Sequence, residues 1–108
     1  MKNFNLKISE QNEAYLESRE VVEPMPIQLS LPDVGGVHYI FNFPNGYKAS
    51  VIKKWGSYGY EDDLWEIALL DKYGDITYEE DFDYDVIGYC SDKDIDNLLT
   101  KISNYEEA

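Results

Sequence analysis

The stretch Val37-His38-Tyr39-Ile40-Phe41-Asn42-Phe43 constrains the fold more than any other part of this chain. Its β-branched and aromatic residues alternate with smaller or polar ones, the pattern of a strand with one buried face. Pro44-Asn45-Gly46 follows, and Asn-Gly supplies the positive φ values that a tight hairpin needs. Tyr47 to Trp55 is then the return strand. Val37, Tyr39, Phe41 and Phe43 share a face, as do Tyr47, Ala49, Val51 and Trp55. Leu64 to Leu70 reads as a third strand, with Trp65, Ile67 and Leu69 on one side and Leu64, Ala68 and Leu70 on the other; apolar residues on both sides suit a central position. Ile76-Thr77-Tyr78 is a candidate fourth. A helix ends the chain: Ser91 is its N-cap, Asp94 completes an acidic capping box, and Ile95, Leu98, Leu99 and Ile102 make one apolar stripe. The expected fold is therefore α+β, a small antiparallel sheet of three to four strands with a C-terminal helix packed on one face.

Residues 1–36 read as an N-terminal arm in front of an α+β core at 37–108. Ser9 can cap a short helix that runs towards Ser18, with only Ile8, Ala14, Tyr15 and Leu16 to dock it. Pro24, Pro26 and Pro32 exclude regular helix from Val22 to Asp33. Ile27, Leu29 and Leu31 alternate with polar residues and predict a short edge strand, where flanking prolines are tolerated. Gly35-Gly36 marks a turn. At 108 residues the chain is one domain overall, long enough to bury a core without disulfides or metals. Cys90 is the single cysteine, which fits a reducing compartment. No apolar run approaches the roughly 18 residues of a membrane span, and the first residues lack a signal-peptide pattern. The expected location is the cytoplasm, with no membrane contact.

Charge is distributed unevenly. Residues 61–108 hold sixteen of the 22 Asp/Glu and three of the nine Lys/Arg, so they carry the whole formal charge of -13. Such a field repels nucleic acid and anionic membrane and attracts basic surfaces. The densest acidic run is Glu79-Glu80-Asp81-Phe82-Asp83-Tyr84-Asp85. It reads either as a solvated loop or as a surface that imitates the phosphates of a nucleic acid. Glu61-Asp62-Asp63, Asp71, Asp75 and Asp92-Asp94-Asp96 could merge with it into one acidic face.

Catalysis finds little support. Asp81, Asp83, Asp85 and Asp92 imitate calcium-loop spacing, but Val86 stands where the sharp turn needs Gly. One His and one Cys cannot form a metal set. His38 reads as a packed or edge residue, and Cys90, opposed by Asp92 and Asp94, as a small buried one. Ser57 lacks a nucleophile elbow, and Gly56-Ser57-Tyr58-Gly59 lacks the rest of a phosphate loop. No cofactor is implied. Trp55 reads as closing the core at a strand end, whereas Tyr58 and Tyr60 lie in a glycine loop beside acids, where an interface hot spot would sit.

Phe43-Pro44-Asn45-Gly46-Tyr47 with Ser50-Val51-Ile52, then Ser57-Tyr58-Gly59, then Leu64-Trp65-Glu66-Ile67-Ala68-Leu69-Leu70, then Asp85-Val86-Ile87-Gly88-Tyr89 before the terminal helix, resemble a group of small bacteriophage and prophage proteins of unassigned function. The likeness covers roughly residues 41–102, and Tyr60-Glu61-Asp62-Asp63 departs from it by adding charge. The resemblance implies a phage accessory protein and assigns no catalytic residue. With the charge, it leads to the expectation of a non-enzymatic inhibitor. Its partner would be a host defence protein with a basic nucleic-acid-binding groove, such as a CRISPR or restriction nuclease, and it would bind no nucleic acid itself. The contact residues would be Tyr58, Tyr60, Glu61, Asp62, Asp63, Glu79, Glu80, Asp81, Asp83 and Asp85. The alternatives are an accessory phage protein whose acidity serves solubility, and a small enzyme with a carboxylate-bound metal.

Overall fold

The alternating stretches pair as their periodicity requires, and two further strands extend the sheet on either side. The computed structural model describes residues 4–22 and 36–107. A short helix α1 (Glu10–Glu13) precedes β1 (Leu16–Val22), β2 (Gly36–Asn42), β3 (Lys48–Lys54), β4 (Trp65–Leu70) and β5 (Ile87–Cys90), and α2 (Asp92–Ser103) follows. The fold is α+β, and its strands lie in chain order, β1-β2-β3-β4-β5, each antiparallel to the next.

The β2–β3 hairpin pairs without a slip from Asn42–Lys48 to Gly36–Lys54. Its turn also holds the far end of the molecule. The Asn45 amide donates to the carbonyls of Ile102 at 2.8 Å and Tyr105 at 3.1 Å. Carbonyls at the end of a helix have no intrahelical partner, and here the hairpin supplies one. At the other end of α2 the capping box forms. Ser91 Oγ accepts from Asp94 N at 3.1 Å, and Asp94 Oδ2 accepts from Ser91 N at 3.0 Å.

The core lies between α2 and one face of the sheet. Val37, Tyr39 and Phe41, Ala49 and Val51, and Trp65, Ile67 and Leu69 meet Ile95, Leu99 and Ile102. Leu98 sits at the edge of the stripe and is only partly buried. Trp65 is fully covered, and its indole N–H, which must find an acceptor when buried, donates to Asp92 at 2.7 Å.

The structure corrects the sequence reading in four places. The sheet has five strands rather than three to four. Residues 76–78 form no strand; Ile76 makes a single bridge to Leu70. The N-terminal arm is part of the sheet, because β1 pairs along β2. It is also fastened to α2: Asn12 is fully buried and donates to Asp96 O at 2.8 Å, while Ser9 donates to the Asp96 carboxylate instead of capping α1. Burial opposes the charge on Asp96, but the hydrogen bonds from Ser9 and Asn12 outweigh it and hold the carboxyl below its usual 3.8. Trp55 does not close the core. It lies beyond the end of β3 at 41% exposure, and Lys53, 2% exposed, continues the buried alternation of Ala49 and Val51. The three prolines, the expected edge strand at Ile27 to Leu31, and Gly35 lie outside the described residues. Among the described residues no helix is long and apolar enough to cross a membrane.

Candidate functional site

A rare backbone conformation lies where β5 meets β4. Trp65 pairs with Cys90 and Ile67 with Ile87, so Glu66 alone faces both Gly88 and Tyr89. That two-against-one arrangement is a β-bulge, a device that re-aims side chains. Tyr89 takes φ 57, a left-handed conformation that a bulky aromatic residue rarely adopts. Its ring is carried outward, 60% exposed.

The loop after β3 docks on this bulge. Tyr89 N donates to Tyr58 O at 3.3 Å, and Tyr58 N donates to Glu66 Oε1 at 3.0 Å. Ser57, which offered no nucleophile context, ties the loop to β3 instead. Its hydroxyl donates to Lys54 O at 2.7 Å and accepts from Lys54 N at 3.1 Å. Two glycines make the close approach possible. A Cβ on Gly88 would stand 2.3 Å from Tyr58 Cβ. Gly59 has φ 96, and a Cβ there would stand 2.9 Å from the backbone of Tyr89. The loop and the bulge are therefore one unit.

This unit presents two adjoining recesses. On one side Trp55, Tyr58 and Tyr89, with Glu61 and Asp62, line a cleft of about 300 Å³. On the other, Tyr58, Tyr78 and Tyr84 line an open groove with Asp83 and Asp85. Tyr58, 59% exposed, is the wall they share. The result is an exposed surface of tyrosine, tryptophan and carboxylate.

The expected contact residues divide between those that line this surface and those whose side chains are engaged by other residues of the fold. Tyr58, Glu61 and Asp62 lie on the cleft, and Asp83 and Asp85 on the groove, where Asp85 accepts from the Tyr78 hydroxyl. Glu80 is exposed nearby in sequence. Others serve the fold. Tyr60 also lines the cleft, but most of its side chain is buried, 5% exposed. Asp63 pairs with Lys53 at 3.1 Å, and the Lys53 ammonium lies 4.4 Å from the centre of the Trp65 ring. Glu79 accepts from the Tyr47 hydroxyl at 2.6 Å; that hydrogen bond, with burial, pushes the phenol up to about 12. Asp81 accepts from Lys101 at 3.1 Å and from the Tyr105 hydroxyl at 3.3 Å. Burial and the charge of Asp81 push the Tyr105 phenol up to about 12. The acidic run is anchored by fully buried Phe82, which exchanges two backbone hydrogen bonds with Glu79.

Other acids also have structural work. Asp92 holds Trp65, Asp94 caps α2, Asp96 fastens the arm, and Asp71 Oδ1 accepts from the backbone N–H of Tyr73 and Asp75. The calcium-like set is dispersed by these engagements, with Asp81 turned to Lys101 and Asp92 to Trp65. Among the described residues no three of His, Cys, Asp and Glu gather where a metal ion could be held. Cys90 is buried, and burial followed by the charge of Asp94 pushes its thiol up to about 11. His38 Nε2 lies 2.7 Å from Ser50 Oγ.

Sequence reasoning missed Trp55, Tyr78, Tyr84 and Tyr89 as members of the surface. The acids around Tyr78 and Tyr84 gave no usable signal, since Phe82 in the same run is fully buried while its two aromatic neighbours are exposed. Nothing in Gly88-Tyr89 as a dipeptide announces a left-handed tyrosine. No protein-family model, curated protein or solved structure matches this chain.

Proposed function

We propose that this chain is a non-enzymatic binding protein of phage type. In this reading its aromatic and acidic surface occupies a basic groove of a host nucleic-acid-binding defence protein. The observation that carries the reading is the position of Tyr58, which joins Glu61 and Asp62 on one side to Asp83 and Asp85 on the other. Carboxylates near a basic groove steer association, and exposed tyrosine and tryptophan supply the contact area that slows dissociation. The net charge of -13 acts in the same direction at longer range and disfavours direct contact with nucleic acid.

A second reading is favoured by a different observation. Glu79, Asp81, Asp92, Asp94 and Asp96 are all engaged within the fold, so much of the acidity has structural employment. An accessory phage protein that uses its remaining charge only for solubility would look the same in that respect.

Capture from a bacterial lysate separates the two. The protein is immobilised beside a variant carrying Glu61→Gln, Asp62→Asn, Glu80→Gln and Asp83→Asn. These four carboxylates are exposed, so their loss spares the contacts that Glu79, Asp81 and Asp85 make within the fold. The inhibitor reading predicts a nucleic-acid-binding protein retained at low salt and released as exposed charges are screened, over a Debye length of about 8 Å at physiological ionic strength. The neutralised variant should retain much less of it. Equal retention by the variant at high salt would contradict the reading.

A further inference from the structure

We infer that the cleft between Trp55, Tyr58 and Tyr89 is a receptor for a single cationic side chain, arginine above all, donated by the partner protein. The inference rests on the binding-face reading above and names the chemistry of its central contact.

Three observations support it. First, the cleft walls are aromatic and accessible: Trp55, Tyr58 and Tyr89 are 41%, 59% and 60% exposed. Among the described residues none of the three rings packs against another ring or under an internal cation. No other ring and no internal cation occupies them, and an aromatic face attracts a cation through its quadrupole. Second, Glu61 and Asp62 stand on the rim without a Lys or Arg partner among the described residues, whereas Asp63 and Asp81 each have one. Two unpaired carboxylates beside open rings select a positive group over a neutral aromatic one. Third, the volume of about 300 Å³ lies at the small end for ligand pockets, which run from roughly 300 to 1,000 Å³, and suits one side chain. A planar guanidinium can stack on an aromatic ring while its N–H groups donate to carboxylates, a combination that the ammonium of lysine cannot reproduce.

The strained position of Tyr89 fits this role. A left-handed tyrosine is costly and is kept only where the surroundings determine it. Here the bulge and the docked Tyr58 loop hold the third wall of the cleft at the exposed end of β5.

The test uses N-acetyl-arginine N-methylamide as the probe and its citrulline analogue as a neutral control of nearly the same shape. Both are titrated into the full chain while the Trp55 indole, the tyrosine rings and the amides of residues 56–62 are followed by NMR. The arginine probe should give saturable shifts confined to the cleft, and the citrulline probe should give none. Tyr89→Gly should weaken the arginine probe by about 2- to 30-fold, the range for loss of one cation–aromatic contact. That variant relieves the left-handed strain, and a denaturant melt and amide spectrum matching the parent's outside the cleft separate weakened binding from a damaged fold. Tyr58→Phe keeps the ring and should keep the binding. Equal response to citrulline, non-saturating shifts, or an unchanged response in Tyr89→Gly would each overturn the inference. If the arginine probe fails while salt-sensitive capture persists, the cation receptor is wrong and the binding face stands. If the probe binds while capture ignores charge, the receptor stands and the groove reading falls.

Discussion

Tyr89 concentrates the account at the scale of one residue. A left-handed conformation costs a non-glycine residue roughly 1–2 kcal/mol, and glycine returns part of that through its greater freedom in the unfolded chain. The Tyr89 ring is mostly exposed, so its removal sacrifices little packing. Tyr89→Gly should therefore leave stability unchanged or raise it by up to about 1 kcal/mol in denaturant melts. A loss larger than that would mean that the ring holds the fold together rather than a partner. Tyr60 gives the opposite lesson within the same loop. Two residues from Tyr58 and equally aromatic, it is buried, because one turn of 3-10 helix at Tyr60–Asp62 rotates it inward. No periodicity in Gly59-Tyr60-Glu61 distinguishes the two tyrosines, so their division was not legible before the structure.

At the scale of elements, what the sequence revealed was what obeys a period. The hairpin, β4 and α2 each place apolar residues at intervals of 2.0 or 3.6 over enough residues to be read. α2 runs from Asp92 to Ser103 behind the expected Ser91 cap, and its capping box is present. β1 was missed because Leu-Glu-Ser-Arg-Glu-Val-Val lacks strict alternation and owes its strand state to the backbone of β2 beside it. β5 was missed because four residues interrupted by a bulge are too few to show alternation. The helix supplies the packing test. Leu99 is fully buried against the sheet and Leu98 only partly. Leu99→Ala should cost about 2–5 kcal/mol, as large-to-small core changes do, and Leu98→Ala distinctly less. Equal costs in chemical denaturation would show that α2 is rotated from the orientation described.

For the whole molecule, the charge was fully legible as a total and only partly legible as a surface. The expectation of one merged acidic face treated every carboxylate as available. In the fold, carboxylates near a tyrosine hydroxyl, an indole N–H or a helix terminus were drawn into those partners, since a buried donor left unmatched is costly. Four exposed acids, Glu61, Asp62, Asp83 and Asp85, line recesses with exposed aromatics around Tyr58. The central claim is that this surface takes the place of nucleic acid on a basic protein. The most direct measurement is a competition on the captured, purified partner: bound duplex DNA or RNA is followed by fluorescence anisotropy as this protein is added. The account predicts that anisotropy falls to the value of free nucleic acid, that the four-carboxylate variant requires a higher concentration, and that raised salt weakens the competition. A rise in anisotropy, signalling a ternary complex that holds both ligands at once, would contradict it.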